Sequence, residues 1–245
     1  MARFEKVSMF GFEIYSGSRI VLMEKIHRDM GTGMRNVIFA INPLKVIMSE
    51  ENEEVKKIIR SADILIPDGI GILYAAKKEH LHIKERITGI DLMNELCRMS
   101  VEIKASVFIY GAEQGNLEQA VINLKNLYPG IDIAGHITGY EKNEEYVNKL
   151  INDSGADILF VAMGSPIQEI YIDENKDKLP SVKVFLGVGG SVDVMSGNVK
   201  RAPLWVRRAN LEWLYRICFQ PRRLPNIKKI LEFIFKISQE KKEKK

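Results

Sequence analysis

Apolar and polar positions follow two alternating rhythms along this chain. Short apolar runs, each closed by glycine, proline or asparagine, read as buried strands at residues 7–10, 36–41, 62–66, 106–110, 131–134, 156–162 and 182–186. Between them apolar residues recur every three or four positions, as in Ile90, Met93, Leu96 and Cys97, which is the mark of a helix burying one face. Ser16 or Ser18 can cap a first helix, and Asn143 opens another with Glu144 and Glu145 in the first turn, where the helix dipole favours them. Strand and helix alternating at this pitch predict an α/β fold, a doubly wound, mostly parallel and Rossmann-like sheet. The first strand is expected to continue as a hairpin through Gly11.

The rhythm changes near residues 196–203. Beyond Pro203 the chain is aromatic and basic, with Trp205, Arg207, Arg208, Trp213, Tyr215 and Arg216, broken by Pro221 and Pro225. Ile227, Ile230, Leu231, Ile234 and Ile237 then share one helical face, with Lys228, Lys229 and Lys236 opposite. The expected division is an α/β body over residues 1–199 and a helical appendage over 200–245.

A hydrophobic content of 46% with 28% charged residues suits a globular chain that buries a sizeable core. The net charge of +4 conceals an asymmetry. From Lys200 onward there are 14 Lys/Arg against 4 Asp/Glu, a net of +10, which leaves −6 for the first 199 residues. A basic tail on a mildly acidic body calls for an anionic partner, nucleic acid or a membrane surface. Cys97 and Cys218 lack metal spacing and suggest a reduced compartment. No apolar stretch resembles a signal peptide or approaches the roughly 20 residues that span a bilayer.

Candidate chemistry gathers where strands end. Residues 62–66 run into Pro67-Asp68-Gly69-Ile70-Gly71, so Asp68 sits at a carboxyl-terminal strand end, the rim on which open α/β sheets bind ligands. On pattern alone Asp68 is equally a turn former or a helix cap. Asn42, Gly111, Tyr140, Gly164-Ser165 and Gly189-Gly190-Ser191 end the other strands, and a parallel sheet would put them all on one rim. Glycine turns at helix starts bare N–H groups suited to a pyrophosphate. Neither the G-x-G-x-x-G dinucleotide fingerprint nor a P-loop is present. His80-x-His82 reads as a solvated pair, and no metal-binding constellation stands out. Arg86 is a diphosphate cation or a surface ion pair, Gln168 and Glu169 are ligands or helix-start chemistry, and Asp193 reads a base edge or caps a helix.

Taken together, these pieces resemble the WecB/TagA/CpsF glycosyltransferases (glycosyltransferase family 26). The matching segments run in order along nearly the whole chain. They begin with Asn42-Pro43 with Lys45-Val46, Pro67-Asp68-Gly69-x-Gly71 and Arg86-Ile87-x-Gly89-x-Asp91-Leu92, followed by Tyr110-Gly111-Ala112, Tyr128-Pro129-Gly130 and Gly139-Tyr140. Gly164-Ser165-Pro166-x-Gln168-Glu169, Gly187-Val188-Gly189-Gly190-Ser191-x-Asp193, Lys200-Arg201-Ala202-Pro203 and residues 211–216 complete the set.

The resemblance implies an inverting transfer that needs no metal or other cofactor, from a UDP-sugar to a sugar on a polyprenyl diphosphate. The donor sugar of the family's type reaction is N-acetylmannosamine, the acceptor is lipid-linked N-acetylglucosamine, and the setting is teichoic acid assembly in the cell wall. By the same resemblance Asp68 is the base, with Asn42, Arg86 and Gln168 at the donor sugar or diphosphate. Gly111, Ala112, Gly189 and Gly190 join the substrate site, Tyr140 and Asp193 hold the uridine, and Arg216 and Arg223 of the appendage cover the active site.

The tail then becomes a peripheral anchor on the cytoplasmic face of the membrane rather than a nucleic-acid arm, with packing against a sister subunit as the alternative. Ala40 stands where family members often carry threonine, and Asn226 where a further arginine is expected. A rival reading is a non-catalytic scaffold that binds nucleotide-sugar or lipid in an envelope complex.

Overall fold

The computed structural model describes residues 4–208, 211–219 and 224–243. A hairpin of β1 (Lys6–Met9) and β2 (Phe12–Tyr15) opens the chain, turning through Phe10 and Gly11, both at positive φ. Next come α1 (Arg19–Gly31), capped by Ser18, and then β3 (Asn36–Ile41), α2 (Pro43–Glu51) and α3 (Glu53–Arg60). They are followed by β4 (Ile64–Pro67), α4 (Ile70–Lys78), α5 (Gly89–Ile103), β5 (Ser106–Gly111) and α6 (Gln114–Leu127). The sheet is completed through β6 (Asp132–Ile137), α7 (Glu144–Ser154), β7 (Ile158–Ala162), α8 (Ile167–Asn175), β8 (Val184–Gly187) and α9 (Ser191–Met195). Three helices follow: α10 (Leu204–Arg208), α11 (Glu212–Phe219) and α12 (Pro225–Glu243).

The eight strands form one sheet in the order β1-β2-β4-β3-β8-β7-β5-β6. Only β1–β2 pair antiparallel, so the expected parallel sheet and its opening hairpin are both present. Side-chain alternation sorts the core into two layers. Ile38, Ala40, Ile64, Ile66, Ile109 and Phe160 face the layer under α1, α5, α6 and α9. Val37, Phe39, Ile41, Leu65, Phe108 and Val161 face the layer under α2, α3, α4, α7 and α8. Both faces being covered explains why the strands read as continuous apolar runs.

The chain leaves β3, β4 and β7 toward one face and β5 and β8 toward the other. The loops therefore part between β3 and β8, between β8 and β7 and between β7 and β5, which opens the kind of crevice where such sheets bind ligands.

The α12 helix departs from its expected orientation. Phe233 and Ile237 are buried with the α2 layer, while Leu231, Ile234 and Phe235 face outward at 58%, 51% and 63% exposure. Lys229 and Lys236 do not lie opposite in solvent but pair with Glu51 and Glu50 of α2. Phe233, which the isoleucine spacing left out, is fully buried, its ring 5.4 Å from that of Phe10 and close against Gly71.

Candidate active site

The turn that carries Asp68 is held from three sides. Its N–H donates to the Ile41 carbonyl at 2.8 Å, and Ile41 and Pro67 are register partners, so Asn42 and Asp68 leave adjacent strands side by side. The Ile87 N–H donates to the Pro67 carbonyl at 3.0 Å, which brings the Arg86 loop to the same place. Gly69 has φ +90°, and a Cβ there would lie 3.4 Å from Pro43 Cδ. At Gly71 a Cβ would fall 2.6 Å from Pro43 Cγ and 3.1 Å from Phe233 Cε1. The two glycines thus admit Pro43 of α2 and Phe233 of α12 against the turn.

Asn42 caps α2, its Oδ1 accepting the Lys45 N–H at 3.0 Å. Arg86 meets Glu212 of α11 at 3.1 Å, both side chains being largely shielded, so α11 helps to hold this arginine beside the Asp68 turn. A second tie lies close by. Arg201 binds Asp91 at 2.6 Å, and Asp91 also accepts from the Thr88 hydroxyl that caps α5. Burial alone would raise the Asp91 carboxyl, but the Thr88 hydrogen bond and the Arg201 guanidinium outweigh it and hold it below the usual carboxylate range.

Across the crevice, three strand ends are knitted through one alanine and one glycine. Gly111 has φ +127°, and a Cβ there would meet the Ala162 carbonyl carbon and oxygen at 2.5 Å. Ala112, at φ +62°, donates its N–H to the Ala162 carbonyl at 2.9 Å. Its own carbonyl accepts from the Gly139 N–H and the Thr138 hydroxyl, each at 3.0 Å. Tyr140 follows at the tip, 72% exposed rather than packed in the core.

The β8 end is organised by Gln168. Its Oε1 accepts the Gly189 N–H at 2.9 Å and its Nε2 donates to Glu169 Oε1 at 2.8 Å. Glu169 in turn pairs with Lys45 at 2.8 Å, with both side chains buried. Asp193, in α9 just past Gly190, accepts from Asn116 Nδ2 at 2.8 Å, and Asn116 accepts from Asn198. One carboxylate oxygen of Asp193 is thereby tied to α6. Asn116, Lys45 and Glu212 were not among the expected site residues, and Glu169 was weighed only as a ligand or as helix-start chemistry. Lys45, Glu169 and Glu212 lay within the quoted motifs, and Asn116 directly follows Gly115, but no local pattern revealed partners so distant in sequence.

The side chain of Arg216, in α11, and the whole of Arg223 lie outside the described residues. Cys97 is buried within α5, and burial pushes its thiol up to about 12, which keeps it out of nucleophilic chemistry. Among the described residues no three His, Cys, Asp or Glu side chains converge as metal ligands would. No helix among them is long and apolar enough to cross a membrane.

Residues 7–245 match the glycosyl transferase WecG/TagA/CpsF family. The N-acetylglucosaminyldiphosphoundecaprenol N-acetyl-beta-D-mannosaminyltransferase of Bacillus subtilis (strain 168) is 35% identical over 228 residues, 93% of this chain and 88% of the relative. The enzymes of the same name from Bacillus spizizenii and Staphylococcus aureus (strain NCTC 8325) are 36% and 31% identical, covering 87% and 97% of this chain and 83% and 94% of their own lengths. With similarity running nearly end to end, the chain belongs to the WecG/TagA/CpsF family of glycosyl transferases.

Proposed function

We propose that this chain transfers N-acetylmannosamine from its UDP-sugar to N-acetylglucosamine on a polyprenyl diphosphate, a step of teichoic acid assembly in the cell wall. The observation that carries this reading is the convergence of Asn42, Asp68 and the Arg86 loop at neighbouring strand ends in a family member. The acceptor hydroxyl oxygen attacks the anomeric carbon from the side opposite the diphosphate. As the new C–O bond forms, Asp68 takes the hydroxyl proton, and the old bond breaks with its electron pair leaving on UDP. Inversion follows from that in-line geometry.

Charge grows on the leaving diphosphate, so preorganised cations and N–H groups at the rim lower the barrier. Arg86, Arg216 and Arg223 supply cations, and the N–H groups around Gly111, Ala112, Gly189 and Gly190 supply dipoles. Asn42 and Gln168 orient the donor sugar. Tyr140 stacks on the uracil, and the remaining acceptor capacity of Asp193 serves the nucleoside.

Residues 200–245 form the docking appendage on this reading, seated peripherally on the inner face of the membrane that holds the acceptor. The outward side of α12 supports it: Leu231, Ile234 and Phe235 are exposed on a helix whose other side is fixed to the body by Phe233 and Ile237. Replacing those three outward residues with serine is expected to weaken binding to anionic vesicles by about 100-fold or more, from lost apolar burial. Co-sedimentation measures it, and undiminished binding would take that face out of the docking surface.

The decisive test of the reaction is a screen of UDP-sugars with a short-chain polyprenyl-diphosphate N-acetylglucosamine acceptor, following UDP release. Turnover with UDP-N-acetylmannosamine is expected. UDP binding without turnover on any donor would favour the scaffold reading.

A further inference from the structure

The three neighbouring strands β3, β8 and β7 each end in a turn that carries site residues, and one chain of polar contacts runs beneath all three. It starts at the Asn42 turn, where Lys45 sits in the first turn of α2. Lys45 Nζ reaches Glu169 in the first turn of α8, Glu169 Oε1 also takes the Gln168 amide, and Gln168 holds the Gly189 N–H. The Gln168 amide lies against β8 itself, since a Cβ on Gly187 would come within 2.6 Å of its Nε2.

Stability does not account for this arrangement. A lysine in the first turn of a helix is opposed by the helix dipole. Buried ion pairs are often matched or bettered by apolar residues of similar size. Glu169 Oε2 is buried without a close hydrogen-bond partner, and the Ser165 hydroxyl of the β7 turn is a further group that lowers the acid, so the pair also reaches the end of β7. The acid stays ionised regardless: burial would raise it, but the Lys45 charge and the hydrogen bonds to it hold it below its usual range.

We propose that Lys45 and Glu169 are positioning residues, a buried ion pair that acts through Gln168 and the Asn42 turn to hold the β3, β7 and β8 ends at the spacing a sugar diphosphate requires. This rests on the donor reading above, and it locates the pair's effect at the diphosphate and sugar rather than at the uridine end, which Tyr140 and Asp193 serve from α9 and the β6 end. Loosening the pair lets the Gly189 turn and the Asn42 turn move apart. A displacement of about 1 Å in such groups costs on the order of 100-fold in rate.

The test is the double variant Lys45→Met/Glu169→Leu in the full-length chain, examined by thermal unfolding, by UDP and UMP titration, and by transfer kinetics. The expected result is an unfolding midpoint at or above wild type and UMP affinity within twofold. UDP affinity should fall about tenfold and kcat about 100-fold. A folded double variant whose UDP affinity and kcat both stay within threefold of wild type would overturn the proposal. So would equal losses of UMP and UDP affinity, which would mark a general structural defect. Should the double variant not fold, Glu169→Gln, which keeps shape and removes charge, is judged on the same readouts. The UDP-against-UMP comparison decides the positioning role even where wild type transfers no sugar, an outcome that would count against the transferase reading instead.

Discussion

Asp68→Asn is expected to lower kcat by about 10²–10⁴-fold while leaving the fold and UDP affinity close to wild type. Main-chain bonds help to set the shape of the turn. Its backbone is fixed by the bond from the Asp68 N–H to Ile41 and by the one from Ile87 to Pro67, and its glycines are fitted around Pro43 and Phe233. Asparagine is nearly isosteric with aspartate and fits the same backbone, but it cannot accept the proton. Circular dichroism and UDP titration establish that the site is intact, and UDP release with the lipid acceptor measures the loss. A folded variant that keeps more than a tenth of wild-type turnover would remove Asp68 from the role of base.

The second large effect is expected at Gly111→Ala. Here the obstacle is backbone and not the end of a flexible side chain: the added methyl would sit 2.5 Å from the carbonyl carbon and oxygen of Ala162, at φ +127°. β5 and β7 are paired along their whole lengths, so neither can withdraw without breaking the ladder. The cost is about 2–4 kcal/mol, combining an unfavourable backbone conformation with overpacking. For a domain of this size that lowers the unfolding midpoint by roughly 10 °C. UDP affinity should fall with it, because the Ala112 carbonyl also anchors Thr138 and Gly139 beneath Tyr140. An unfolding midpoint within a degree or two of wild type would show that the strand ends yield more readily than their pairing implies.

Most of the rim was legible before the structure. Strands buried on both faces must be apolar throughout, and each must stop where the chain leaves the sheet, so Asn42, Asp68, Gly111 and Gly189 announce themselves as punctuation after apolar runs. The order of strands was not legible, because nothing local states that β3 lies beside β8, 148 residues on at their Val37–Phe185 and Ile38–Leu186 pairs. The same blindness hid Lys45–Glu169 and Arg86–Glu212, in which each member is an ordinary helix or loop charge until the fold supplies its partner. The appendage shows a third kind of limit. Its helical spacing was correct, but several rotations of an apolar helix satisfy one period, and only packing against α2 selected Phe233 and Ile237 for burial.

The wedge of Phe233 against Gly71 has a consequence for the order in which the molecule is built. The two residues are 162 positions apart, so this contact closes one of the longest loops in the chain. The sheet can assemble from units nearer in sequence, whereas the packing over the catalytic turn waits until the chain has been synthesised past residue 233. During synthesis the Asp68 turn therefore rests first on its main-chain bonds with Ile41 and Ile87, and Phe233 closes over Gly71 only near the end.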